Sequence, residues 1–115
     1  MENDLLFTLS TKSEWKQFSS SGNFEPESLK EKGYVSCYHG PQIEKAANDL
    51  QTEESELLLI VIDPLKLQVP LKNEKIGTEV FPNLYGAFSI DAVIDRIILK
   101  KSKKGIFAVR VKHFD

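Results

Sequence analysis

"ELLLIVID", residues 56–63, decides the architecture. Six apolar residues run without interruption from Leu57 to Ile62. A strand with one wet face alternates apolar and polar residues, and this one does not. Both of its faces must be covered, which places it at the centre of a sheet. The run is far short of the ~20 residues that span a bilayer. Pro64 stops it, because proline has no N–H to give to a ladder. The rest of the chain must supply the neighbouring strands and the covering layers.

Upstream, "LLFTLS" (5–10) sets Leu5, Phe7 and Leu9 at period two and reads as a first strand. "YVSCY" (34–38) reads as a short strand. "LQVPLKNEKIGTE" (67–79) is an edge strand or an irregular extended segment, since Pro70 cannot donate to a ladder. "AVIDRIILK" (92–100) and "GIFAVRVKHF" (105–114) read as two strands joined into a hairpin by "KSKKG". In the second of them Phe107, Val109 and Val111 face inward and Arg110 and Lys112 outward. Three helices are predicted in the first half. In "TKSEWKQFSSSG" (11–22), Thr11 and Glu14 form a capping box. Trp15 and Phe18 share a face there as core residues, and a polar loop begins at Ser19. "EPESLKEKG" (25–33) has Pro26 at its start and Gly33 at its end. "HGPQIEKAANDLQ" (39–51) starts at Pro41 and carries Ile43, Ala46, Ala47 and Leu50 as an apolar stripe. The expected fold is α+β, one domain over residues 1–115, with two or three helices mainly in the N-terminal half and mostly strands after it.

Composition narrows the function. The chain has 115 residues and a net charge of −2, so it lacks the basic face that nucleic-acid binding draws on. A single cysteine, Cys37, excludes an internal disulfide and fits a reducing cytoplasm. It lies among apolar neighbours, so a buried, inert thiol is expected. "MENDLLFTLS" carries two acids and too short an apolar run for a signal peptide, so the expected location is cytoplasmic. Two histidines and one cysteine make no zinc cluster at a known spacing. Neither common phosphate-binding glycine loop occurs, and there is no G-x-S-x-G elbow. Lys100 to Lys104, "KKSKK", read as a solvated hairpin tip.

Three segments carry candidate polar groups. "GYVSCYHGPQ" (33–42) passes from a strand into a helix and offers Ser36, Tyr38, His39 and Gln42 near free helix N–H groups, although an ordinary strand-to-helix turn looks the same. "LKNEKIGTEVF" (71–81) holds Glu74, either a hydroxyl-orienting carboxylate or a solvated acid among lysines. "EVFPNLYGAFS" (79–89) is dense in aromatics around one amide. With a rigid turn at Pro82 and a flexible one at Gly86, Phe81, Asn83 and Tyr85 point to one side, either as a pocket wall or as a structural plug.

Read in order, these motifs resemble the bacterial family called domain of unknown function 952. Its pattern of W, G-[FY]-[IV]-H-C-S-x-x-x-Q, a buried strand ending in D, a lone E, F-P-H-L-Y-G and V is similar to the series here. The matching residues are Trp15, Gly33, Tyr34, Val35, Cys37, Gln42, Asp63, Glu74, Phe81, Pro82, Leu84, Tyr85, Gly86 and Val93. The resemblance implies a fold similar to that of the ADP-ribosyltransferases, a split and mostly antiparallel sheet around a cleft that in those enzymes holds a nicotinamide dinucleotide. It implies no reaction. The two family histidines fall at Ser36 and Asn83, which lack an imidazole's acid–base chemistry near neutral pH but still form hydrogen bonds. The resemblance therefore favours a ligand-binding domain with little or no catalysis. Two readings stand beside it. One is a divergent transferase or hydrolase that uses NAD or ADP-ribose, with Glu74 on ribose and Phe81 and Tyr85 beside a ring. The other is a scaffold that pairs its strand edges with a protein partner. On the first two, Ser36, Glu74, Asn83 and Tyr85 are expected to converge on one cleft, walled by Phe81 and the start of the 41–51 helix.

Overall fold

The structure, a computed structural model, describes residues 5–50 and 52–109. Chain order is β1 (Leu6–Ser10), α1 (Lys12–Ser21), β2 (Asn23–Phe24), α2 (Glu27–Lys32), α3 (Ile43–Asp49), β3 (Glu56–Ile62), β4 (Leu71–Ile76), β5 (Glu79–Leu84), β6 (Phe88–Ser89) and β7 (Val93–Lys100). Single 3-10 turns cover Gly40–Gln42, Pro64–Lys66 and Ile90–Ala92. This is an α+β chain whose strand pairs are all antiparallel.

β3 is the central strand of a three-stranded sheet, between β1 and β7. Its uninterrupted apolar run follows from that position, because alternate side chains enter two different cores. Leu58, Ile60 and Ile62 pack with Trp15 and Phe18 of α1 and with Phe24, Val35, Cys37, Leu84 and Phe88. Leu57, Leu59 and Val61 pack with Phe7, Ile43 and Ala47 of α3 and with Phe107 and Val109. The helix ends obey local chemistry. Thr11 and Glu14 close the capping box on α1, and Gly22 and Gly33 end α1 and α2 in the left-handed conformation.

The structure departs from expectation in five places. Residues 34–38 form no strand; single bridges tie Tyr38 to Phe7 of β1 and Val35 to Leu84 of β5. They nonetheless link the three-stranded sheet to the β4–β5 hairpin. The segment from 105 keeps one bridge, Lys101 to Phe107, in place of a hairpin strand. Side chains of α3 take the backbone groups that a ladder would use. Asn48 receives the Phe107 N–H at 2.8 Å and donates to its carbonyl at 3.0 Å, and Glu44 receives the Val109 N–H at 3.0 Å. Phe107 and Val109 do face inward, whereas Arg110, Val111 and Lys112 lie outside the described residues. α1 continues through Ser21, where a loop was expected from Ser19. Pro41 sits in a 3-10 turn, so α3 starts two residues after it.

The last departure concerns "FPNLYG". Pro82 makes no turn but lies inside β5, paired with Asn73 of β4. Leu84 gives its N–H to the Val35 carbonyl at 3.0 Å, so the Pro82 nitrogen, two residues earlier, lies on the same edge, away from β4. The missing donor therefore costs the β4–β5 ladder nothing. It does deprive the 34–38 segment of a partner opposite Cys37, which limits that segment to isolated bridges. Gly86 follows the strand at φ 154°, where a Cβ would stand 3.0 Å from Val69 Cγ1.

Candidate functional site

Three side chains of the β4–β5 hairpin form a closed hydrogen-bond cluster. Glu74 Oε1 accepts from Asn83 Nδ2 at 2.9 Å and from the Tyr85 hydroxyl at 2.7 Å, and Oε2 lies 2.8 Å from the same hydroxyl. Strand alternation puts all three on one face of the hairpin. The amide and then the phenol hold the Glu74 carboxyl below its usual range, and Lys72 adds to this through its charge. In return the Glu74 hydrogen bond, aided by desolvation, pushes Tyr85 up to about 12. Lys72 Nζ stands 4.6 Å from the Tyr85 ring centre. The buried Asn83 also reaches across the hairpin edge, where its Oδ1 accepts the Cys37 N–H at 3.4 Å. The side chain thus gives the unladdered segment one further tie to β5.

The Val35–Leu84 bridge sets the register of the crossing segment. Continuing it places Tyr34 opposite Tyr85, Ser36 opposite Asn83 and Tyr38 opposite Phe81. The ring contacts agree: Tyr34 and Tyr85 lie 5.3 Å apart and Tyr38 and Phe81 6.1 Å apart, between centroids. Ser36, Glu74, Asn83, Tyr85, Tyr38 and Phe81 therefore share one face. Cys37 points the other way, into the α1 core. Burial pushes its thiol up to about 12, only partly offset by a Thr8 hydrogen bond. Burial likewise raises the Tyr38 phenol.

Two cavities open along this face. The larger, about 380 Å³, is lined by Ser36 and Tyr38, by Thr8 and Ser10 of β1, and by Lys32 at the end of α2. It sits where β1 and the 34–38 segment part after their bridge at Phe7 and Tyr38. The smaller, about 210 Å³, is lined by Tyr38, Gln42 and Phe81 and by α3 residues including Asp49. Tyr38 and Leu50 line both cavities. Glu74, Asn83 and Tyr85 line neither; they form the floor of the hairpin beside them. His39 lines neither cavity, and its backbone N–H donates to Gln42 Oε1 at 2.9 Å. Gln42 is itself committed, since its Nε2 donates to the Val80 carbonyl at 3.0 Å and straps the 3-10 turn to β5.

Lys32 was not singled out from the sequence, and Tyr34 only as a match to the family pattern, not as a site residue. Lys32 Nζ reaches Ser36 Oγ at 2.7 Å and passes 4.9 Å from the Tyr34 ring centre. A signal for Tyr34 was present, since Tyr34, Ser36 and Tyr38 alternate at period two. Lys32 carries no comparable pattern. It enters because Gly33 ends α2 and turns the chain back.

The fold and this face define a small α+β domain with a hydrogen-bonded hairpin beside a split between strands. The chain belongs to the family described as protein of unknown function, DUF952, whose model matches residues 9–96. Among solved structures it is similar to the crystal structure of protein CC0527 from Caulobacter crescentus. That match has 23% identity and a TM-score of 0.82, covering 90% of this chain and 93% of that one. It is also similar to the solution NMR structure of CC0527, with 21% identity, a TM-score of 0.70 and coverage of 89% and 90%. At these identities the likeness is one of fold. A comparison with curated proteins returns no match.

Proposed function

We propose that this chain is a ligand-binding domain with a cleft of the ADP-ribosyltransferase type and little or no catalysis, its ligand a nucleotide such as NAD or ADP-ribose. The observation that carries the reading is the cavity of about 380 Å³ at the parting of β1 and the 34–38 segment, lined by Ser36 and Tyr38. That volume lies within the ~300–1,000 Å³ of small-molecule sites. A dinucleotide is longer than this cavity and extends past Tyr38 toward Phe81 and the second one. Little catalysis is expected because the acid that lines the larger cavity, Glu14, is held in the α1 capping box, and the carboxylate of the neighbouring hairpin is engaged as well. Glu74 is ionised and holds two donors, which makes it a poor general base.

The test is a thermal-shift series with NAD, ADP-ribose and unrelated small metabolites, followed by amide chemical-shift mapping. A nucleotide at a hundred times its dissociation constant should stabilise the fold by ~2.7 kcal/mol and move the Ser36, Tyr38 and Phe81 resonances. If only unrelated metabolites bind there, the cleft stands and the nucleotide assignment falls. If nothing moves these resonances, the cleft reading falls too and a protein-interaction scaffold takes its place.

A further inference from the structure

The larger cavity has a chemistry of its own. Besides Tyr38, six hydroxyl-bearing residues line it: Thr8, Ser10, Thr11, Ser28, Ser36 and Thr52. Its charged side chains are Lys32 and Glu14. Glu14 is occupied, accepting the Thr11 N–H at 3.2 Å in the capping box. Lys32 makes no ion pair among the described residues. An exposed lysine of this kind usually extends into water. Here it turns back along the sheet and donates to Ser36 Oγ. Because that oxygen accepts from lysine, the Ser36 proton is free to be donated elsewhere. Ammonium and hydroxyl thus offer converging donors at the rim of the cavity, with no acceptor of opposite charge between them. The inner hydroxyls are oriented the other way. Thr8 donates to the Ser36 carbonyl and Ser10 to the Thr11 carbonyl, both at 2.8 Å, so their oxygens keep lone pairs to accept with, that of Thr8 beside its contact with the Cys37 thiol.

We propose that Lys32 and Ser36 anchor an anionic group whose body carries hydroxyls, a phosphorylated sugar being the simplest member of the class. The anion takes the Lys32 and Ser36 donors. The hydroxylated body enters the cavity and donates to Thr8 and Ser10. This assignment rests on the cleft reading above and adds charge and polarity to it.

The probes are ribose 5-phosphate, neutral ribose and inorganic phosphate, titrated into the full labelled chain and followed at the Lys32, Ser36 and Thr8 amides. A charge-assisted contact at a partly exposed rim is worth about tenfold in affinity. Ribose 5-phosphate should bind about tenfold more tightly than ribose, and that margin should shrink at high salt. Lys32→Gln should remove the margin and leave the affinity for ribose unchanged. Lys32 is on the surface, so this variant keeps the fold, and an unchanged melting temperature verifies it. Inorganic phosphate should bind more weakly than ribose 5-phosphate but at the same amides. Equal affinities for ribose and ribose 5-phosphate would overturn the anion anchor while leaving the cleft as a neutral-ligand site. So would an effect of Lys32→Gln on both sugars alike, or phosphate shifts confined to Lys100–Lys104. Shifts by none of the three probes, in a chain that still binds NAD at Ser36, would also overturn it. If NAD fails there as well, both readings fall.

Discussion

Replacing Asn83 by alanine tests the logic of the hairpin most directly. The side chain is 3% exposed and does two things at once. Its carbonyl oxygen receives the Cys37 N–H and its amide nitrogen donates to Glu74. Alanine leaves the Cys37 N–H buried and without its acceptor, at a cost of ~1–3 kcal/mol. Since that contact is 3.4 Å long, the lower half of the range applies. The vacated amide volume adds ~1 kcal/mol, the scale of a methyl-sized void. Glu74 adds little, because it keeps Tyr85 and has access to water. Together the loss is ~2 kcal/mol. With a urea slope of ~1–1.5 kcal/mol per molar for a domain of this size, the midpoint should fall by roughly 1.3–2 M at an unchanged slope. Asn83→Asp is the companion variant. It keeps an acceptor for Cys37 but sets a carboxylate against Glu74, which raises the new group's folded pKa above its unfolded value. Its penalty should therefore be absent below the unfolded carboxylate range and grow as pH rises through it. A cost below ~0.5 kcal/mol for Asn83→Ala, judged against the ordinary scatter of surface substitutions, would refute the shared-amide argument. So would an Asn83→Asp variant as stable as wild type at pH 8.

Three further outcomes follow from the packing. Trp15→Ala should cost ~3–5 kcal/mol in equilibrium unfolding, because the indole is buried against the α1 core, with the Arg96 guanidinium 5.2 Å from its ring centre; a loss under ~1 kcal/mol would mean that the ring is not core. Cys37 should resist thiol reagents in the native protein, because burial disfavours the reactive thiolate, and its labelling rate should track global unfolding. The Glu74–Tyr85 pair should make stability pH-dependent at both extremes. Tyr85 has a raised folded pKa, so its contribution is complete below the ordinary phenol range and is lost as pH rises through about 12. Glu74 has a lowered one, so its contribution is present above the ordinary carboxyl range and is lost as pH falls through the folded value. Ring-resolved titration should show Tyr85 returning toward ~10 in Glu74→Gln, and an unmoved value would sink the assignment.

Much of the fold was legible because it depends on local or strictly periodic signals. The apolar run of β3 demanded two cores, and two cores exist. The Thr11–Glu14 box and Gly33 sit next to the helix ends they define. The misread segments are those whose backbone partners come from distant side chains. Nothing within residues 105–109 indicates that Asn48 and Glu44 will take their N–H groups. Nothing within 34–38 says that the facing strand contains a proline on the edge it needs. The candidate residues divide along the same line. Alternation places Phe81, Asn83 and Tyr85 on one face from the sequence alone. The arrival of Lys32 at Ser36 depends on where α2 ends, and the commitment of Gln42 to Val80 depends on a contact 38 residues away.

Pro82 and Asn83 act on the pairing of β5 with the 34–38 segment in opposite ways. Pro82 has no N–H for the Cys37 carbonyl opposite it, so the pairing of β5 with the 34–38 segment breaks off there, and the buried Cys37 N–H takes an acceptor outside the ladder. The next residue supplies that acceptor from its side chain, while its amide nitrogen goes to Glu74 and leaves the donor missing at Pro82 unreplaced. An amide is suited to this, because it accepts from Cys37 with one atom and donates to Glu74 with the other. The consequence is a sheet held together across 34–38 by two bridges and one side chain, stiff at the hairpin and open toward β1. A continuous ladder would zip β1, the 34–38 segment and β5 into one flat sheet and close the space beside Ser36. Leaving the segment unladdered keeps that space, while the Glu74–Asn83–Tyr85 cluster, which lines neither cavity, fixes the hairpin beside it. Of the two roles weighed for "FPNLYG", Asn83 and Tyr85 take that of a plug, tied to Glu74 and lining neither cavity, and Phe81 alone reaches a cavity wall, that of the smaller one.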